Sequence, residues 1–433
     1  MIKSLKNSAM FSNSLYSITG QASFLVSNFL LFIVLLKEFP QEAVGVWALF
    51  ITVISIVDSM RQGLIQNGLT RLLIQKADEE AQQAGSGLTI NFSVIILSAI
   101  LLYFGAGLLA NLWEAPALIE LFKQSWKPLV SLGTIQMMNI LCFAKNKFKL
   151  YARLNLIYMV TFLTIMVTVW YTGNLSFNAI LNGQLLAVIP SVTYMHVKHP
   201  IAIAMPKMAI IKELLGFGKY IAGTNLLSLL FNKADVLMIA YFLDPISLAL
   251  FHFASRIIQY IELPLTALSQ VIYPRLAASY HANGVSQLKK EYGRSILTLL
   301  ALIIPGVMVI DIFNTSIINI LSSEDYLSSS QLIIILSIGC LFKPWGRVFG
   351  LTLDAIGKPK VNFQMLAFSL LVNIAMNAWL IPQYGVTGAA IATTSSIIIT
   401  ILLGQIRIKK YVDISPLSEV FNSFKIKTLI ATK

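Results

Sequence analysis

The sequence predicts an all-α polytopic membrane protein with about twelve transmembrane helices in two pseudo-symmetric six-helix bundles. Three observations predict it. Of its 433 residues 57% are hydrophobic and only 12% are charged, against roughly 25% charged in an average soluble domain, which is too little charge to cover a water-facing surface. Apolar runs recur along the whole chain at the length needed to cross the hydrocarbon, roughly 20 residues at about 1.5 Å of rise each. The basic residues between those runs alternate in density, which assigns sides to the loops.

The expected crossings are residues 11–35, 44–66, 88–110, 128–144, 154–173, 177–195, 220–243, 247–272, 295–318, 330–350, 361–381 and 386–406. Lys3 and Lys6 precede the first, as they would in a signal peptide, but the apolar run is too long for an h-region and lacks an A-x-A exit. A retained helix is expected. Lys and Arg crowd the N-terminus, every second loop (around Arg71, Lys145 to Arg153, Lys198 to Lys219, Arg275 to Arg294, and Lys358 with Lys360) and the tail from Arg407. The alternate loops carry only Lys37, Lys123 and Lys127. The positive-inside rule therefore places both termini in the cytoplasm. It also accounts for the net charge of +13 without a polynucleotide, and no nucleic-acid partner is expected.

Cys142 and Cys340 lie far apart in apolar segments and suggest no disulfide framework. His196 and His199 are three apart, but Pro200 follows and no acidic or thiol ligand is near, so no metal is expected. The sequence contains no P-loop, no G-x-G-x-x-G and no G-x-S-x-G, which disfavours an ATPase or a serine hydrolase.

A shift of the chain against itself pairs Asp58 with Glu262, Tyr16 with Tyr220, Asn28 with Asn232, Gln66 with Gln270 and Arg71 with Arg275 without a gap. Such an echo is the mark of a duplicated transporter. It divides the chain into an N-terminal lobe (1–196), a cytoplasmic linker (197–219), a C-terminal lobe (220–410) and a cytoplasmic tail (411–433). Six crossings return the chain to its starting side, so both halves insert in the same sense and a cleft between them is the expected substrate path.

Ionisable groups inside spans are the informative ones, because each costs roughly 2.5 to 3.5 kcal/mol near a helix centre on insertion scales. Arg61, Lys233, Arg256, Lys343 and Arg347 lie within expected crossings and must be paired or face water. Asp58 and Arg61 share a helix face at i, i+3, either as a self-satisfied structural pair or as part of a cavity wall. Lys233 and Asp235 point in different directions and need partners on other helices. Arg256 and Glu262 both fit the border of a broad cavity, with snorkelling open for Arg256. Lys343 and Arg347, at i, i+4 with no acid in their span, double the positive charge on one face. They suit a substrate that brings its own phosphate, unless they lie near the interface and snorkel. Pro190, Pro264, Pro305 and Pro344 interrupt spans, as in helices that line a cavity or in kinked structural helices.

From Phe217 onward the chain resembles the Wzx-type polysaccharide-unit flippases, of the superfamily that also holds the MATE multidrug exporters and the peptidoglycan-precursor flippase. The stretches that carry the resemblance are FGKYIAGTNLLSLLFNKADVLMI from Phe217, YPRL from Tyr273, AIGKPK from Ala355 and IPQYGVTGAAIAT from Ile381. The amino-terminal half matches by pattern more than by motif. The resemblance implies an alternating-access transporter of the bacterial cytoplasmic membrane that carries an undecaprenyl-pyrophosphate-linked oligosaccharide, such as an O-antigen repeat unit, through a cationic central cavity. Arg61, Lys233, Arg256, Lys343 and Arg347 are the candidates for that cavity. No cofactor is expected. A proton or sodium gradient is the candidate energy source, with Asp58, Asp235, Glu262 or Asp311 either carrying the ion or forming ordinary ion pairs. Membrane lipids, a polysaccharide polymerase and a chain-length regulator are the expected partners. A drug exporter of the same fold is the alternative, disfavoured because span cations outnumber Asp58, Asp235 and Glu262. A membrane glycosyltransferase or polymerase would need catalytic groups on large outer loops, whereas these loops are short and offer mainly Glu114, Glu120, Glu324 and Asp325.

Overall fold

The computed structural model describes residues 9–75 and 77–412, and all regular structure among them is helical. In lipid the backbone has no water to bond to, so each crossing satisfies its N–H and C=O groups within one helix. The long helices are α1 (Ala9–Glu38), α2 (Gln41–Gln75), α3 (Glu80–Leu112), then a short α4 (Leu118–Lys123), α5 (Trp126–Ala144), α6 (Phe148–Tyr171) and α7 (Phe177–Lys198). They continue with α8 (Met208–Phe242), α9 (Pro245–Ile312), a short α10 (Asn314–Leu321), α11 (Ser329–Ala355) and α12 (Pro359–Val412).

Two of these helices are too long for one crossing. The 68 residues of α9 would reach about 100 Å if straight. Gly284, at φ 67°, kinks α9 into two helical segments, and Gly385, at φ 57°, does the same within the 54 residues of α12. Both angles are in the left-handed region that glycine enters without a Cβ clash. Local chemistry also sets starts: Ser176 caps α7 through Ala179 N–H at 3.2 Å. Asp244 caps α9 through Ser247 N–H at 2.9 Å, with Pro245 in the first turn.

Nine helices among the described residues are long and apolar enough to cross a membrane, and the protein is multi-pass. Helix α12 is one of the nine and holds both the eleventh and twelfth expected crossings. Two expected crossings fall outside the nine for a reason of composition. Helix α5 is diluted by Lys127, Gln136 and Asn139, and the first part of α9 by His252, Arg256, Gln259 and Glu262.

The chain forms two compact units. The first combines the chain up to Glu38 with Phe50–Leu229, and the second combines Phe39–Leu49 with the chain from Leu230 onward. Helices α2 and α8 therefore each contribute to both units. Within the first unit α1 packs on α6, α6 on α7, and α5 on α3 and α7. The chain between α7 and α8 is strapped to the same unit: Ala204 N–H donates to the Ala81 carbonyl at 2.9 Å and Lys207 N–H to Ser86 Oγ at 3.0 Å. Because α8 already begins at Met208, the non-helical stretch is 199–207, shorter than the linker expected from sequence. Within the second unit α9 packs on α11 and α11 on α12. There Gly45 lies against the Pro245 carbonyl, where any Cβ would collide.

Candidate functional site

In the first unit the only expected site residues are Asp58 and Arg61, one turn apart on α2. Arg61 is 1% exposed and Asp58 6%. Arg61 Nε and Nη2 donate to Asp58 Oδ1 at 3.1 and 2.6 Å, and Nη1 and Nη2 reach Asn91 Oδ1 on α3 and Gln136 Oε1 on α5, both at 2.5 Å. The other Asp58 oxygen accepts from Gln62 at 2.7 Å and Gln136 at 3.1 Å. Charge is balanced inside this network and solvent is excluded from it, which is the structural of the two readings open for the pair.

The second unit holds the rest. Lys343 on α11 donates to Glu262 Oε1 on α9 at 2.6 Å, with side-chain exposures of 34% and 19%. Lys343 has no acid in its own span, as expected, and the facing helix supplies one. Arg347, a turn further along, has no such partner among the described residues. Its Nε donates to the hydroxyl of Ser269 at 2.6 Å.

Lys233 and Arg256 remain as cations without acids. Neither makes a salt bridge among the described residues. Arg256 reaches only Gln259 Oε1, at 3.3 Å, and its buried Nε has no hydrogen-bond partner there. The two cations lie within electrostatic reach of each other and of the buried His252. Like charges held together at membrane depth are costly unless an anion or water joins them, so this group can take an anion.

Asp235 is built differently. It is 7% exposed, and its Oδ1 accepts from Asn373 at 2.9 Å and Asn377 at 2.7 Å on α12, while Asn373 also reaches Ser396 Oγ at 3.3 Å. Two amides hold this carboxylate, and no cation makes a salt bridge to it among the described residues. Asp311, near the end of α9, accepts from Ser337 at 2.9 Å, and its other oxygen has no hydrogen-bond partner among the described residues. Among the described residues there is no group of three or more His, Cys, Asp or Glu able to hold a metal ion.

Sequence reasoning on charges alone passed over Asn91, Gln136, His252, Ser269, Asn373 and Asn377. One signal was available: Asn373 and Asn377 stand at i, i+4 inside an apolar run, and an amide in a span needs a partner as a charge does. Which partner each takes depends on the neighbouring helix.

Comparison with known proteins adds family and fold. Residues 39–331 match the family model described as "Polysaccharide biosynthesis protein". The chain is 22% identical over 243 residues to a probable low-salt glycan biosynthesis flippase, Agl15, of Haloferax volcanii, covering 56% of this chain and 52% of that protein. It is 21% identical over 195 residues to a putative O-antigen transporter of Shigella flexneri, covering 45% and 46%. The chain thus spans about half the length of these curated relatives. Among solved structures, the lipid II flippase MurJ in an inward closed conformation superposes with TM-score 0.73 at 19% identity, over 96% of this chain and 92% of that one. An inward-facing MATE multidrug transporter of the MOP superfamily gives TM-score 0.75 at 16% identity, over 93% and 96%. The chain shares the fold of these two transporters.

Proposed function

We infer function from one premise: the chain belongs to the family of polysaccharide biosynthesis proteins. We propose that it is a flippase that moves an undecaprenyl-pyrophosphate-linked oligosaccharide, an O-antigen-type repeat unit, from the inner to the outer leaflet of the bacterial cytoplasmic membrane. It does so by alternating access through a cationic cavity, with both termini in the cytoplasm. The observation that carries the reading is that Lys233 and Arg256, two cations within expected crossings, make no salt bridge among the described residues. A diphosphate is the natural counter-ion: Arg meets phosphate through two parallel N–H groups and Lys through a mobile point charge. Arg347, held among the described residues by a neutral hydroxyl, adds a third cation on the same unit.

Names of relatives support the class of cargo, since Agl15 is a probable glycan biosynthesis flippase and the Shigella protein a putative O-antigen transporter. Arg61 is left out of the cavity because its charge is already matched by Asp58. For energy coupling, Asp235 is the carboxylate best placed to exchange a proton or a sodium ion, because amides that orient it do not cancel its charge. The lipid-linked donor, membrane lipids, a polymerase and a chain-length regulator are the partners this role implies.

Deletion of the gene tests the proposal. Lipid-linked repeat units should accumulate on the cytoplasmic leaflet and clear when the intact gene is restored. Unchanged leaflet distribution and normal surface polysaccharide in the deletion strain would overturn the assignment.

A further inference from the structure

Two ion pairs among the described residues lie inside expected crossings, and they are built in opposite ways. Asp58–Arg61 is intrahelical, sealed, and tied into amides on two further helices. Glu262–Lys343 links two helices through one hydrogen bond, and 34% of the Lys343 side chain remains exposed. An ammonium has three donors, and one contact leaves the others for a second anion. Around this pair, α9 presents Glu262 and Ser269, seven residues apart and so on one face. Facing them, α11 presents Lys343 and Arg347, four apart and about 6 Å along the axis. Both α9 groups contact the two cations, but only Glu262 carries charge. That quartet holds one net positive charge, and Asp235, the other acid acting on Lys343, is already engaged by two amides.

We propose that Glu262 is an internal substitute for the substrate's diphosphate: it holds Lys343 in the unloaded protein and yields it when a diphosphate reaches the Lys343 and Arg347 pair. This rests on the reading above that the cargo is a lipid diphosphate. The spacing of the two cations lets one diphosphate touch both. Glu262, once released, keeps the Cys340 thiol as a hydrogen-bond neighbour. Glu262 thereby sets affinity from below: without it the cations bind the cargo too well to let it go.

The test uses the purified full-length protein in nanodiscs with undecaprenyl diphosphate as the probe, followed by transport in proteoliposomes. Glu262→Gln should bind the probe ~10-fold more tightly, the gain expected when one charged hydrogen bond becomes available, yet turn over more slowly. Glu262→Asp, with its carboxylate drawn back, should show a smaller gain in the same direction and decides the matter if the glutamine variant does not fold. Lys343→Gln should bind more weakly, and adding Glu262→Gln to it should bring no gain. Folded Glu262 variants that bind no more tightly than wild type, while wild type binds, would overturn this inference and leave the flippase reading intact. Absence of probe binding by wild type would overturn both.

Discussion

Replacing Arg61 by Met separates a structural charge from a transport charge. The change removes the four hydrogen bonds that Arg61 donates and keeps most of the side-chain length. Asp58 is left 6% exposed with only the Gln62 and Gln136 amides as donors. Stripping one partner from a buried ion pair costs about 3 to 5 kcal/mol. Because the two amides still serve Asp58, and polar contacts between membrane helices are worth less than in water, the lower end, about 3 kcal/mol, is expected. Adding Asp58→Asn should recover most of that loss, since the remaining amides can then pair without a buried charge. Tryptophan fluorescence during thermal unfolding in mild detergent measures both variants, with transport assayed on each at a temperature where it stays folded. A variant Arg61→Met of unchanged stability whose transport fell tenfold or more would refute the reasoning, because Arg61 would then have to meet the substrate.

Other outcomes follow from the same geometry. Lys233→Gln and Arg256→Gln should each slow transfer of a lipid-linked repeat unit into proteoliposomes by ~10-fold, the worth of one charged hydrogen bond, without loss of membrane insertion. Asp235→Asn should leave transport indifferent to imposed sodium and pH gradients; a response as large as wild type's would remove Asp235 from the coupling role. Asp244→Ala should lower stability by about 1 kcal/mol through the lost helix cap. Burial raises the Asp244 carboxyl, but the Ser247 N–H and hydroxyl outweigh this and hold it below its usual value, so the cap is present at neutral pH and fades as pH falls through that lowered value. Thermal scans of Asp244→Ala and wild type should therefore converge in acid. A cytoplasm-only reporter fused after Lys198 or Lys410 should give signal, and one fused after Glu324 should give none.

Hydropathy and charge alone determined that this is a multi-pass helical membrane protein, because the cost of exposing backbone and charge to hydrocarbon acts on each segment before any segment meets another. For the same reason Lys343, Arg347, Lys233 and Asp235 stand out in sequence: a charge in an apolar run is a local fact. What each charge does is not local. Lys343 and Arg347 look equivalent on their own helix, and only the neighbouring α9 makes one an ion pair with Glu262 and the other a hydroxyl contact with Ser269. Asp58 and Glu262, which the shift of the sequence against itself aligns, form a sealed pair with Arg61 and an open one with Lys343. Partners far apart in sequence are chosen by how helices pack, and side-chain pairing at that range leaves no period or spacing in the chain to read. Tertiary structure alone decided which of these cations meet an acid and which, among the described residues, do not.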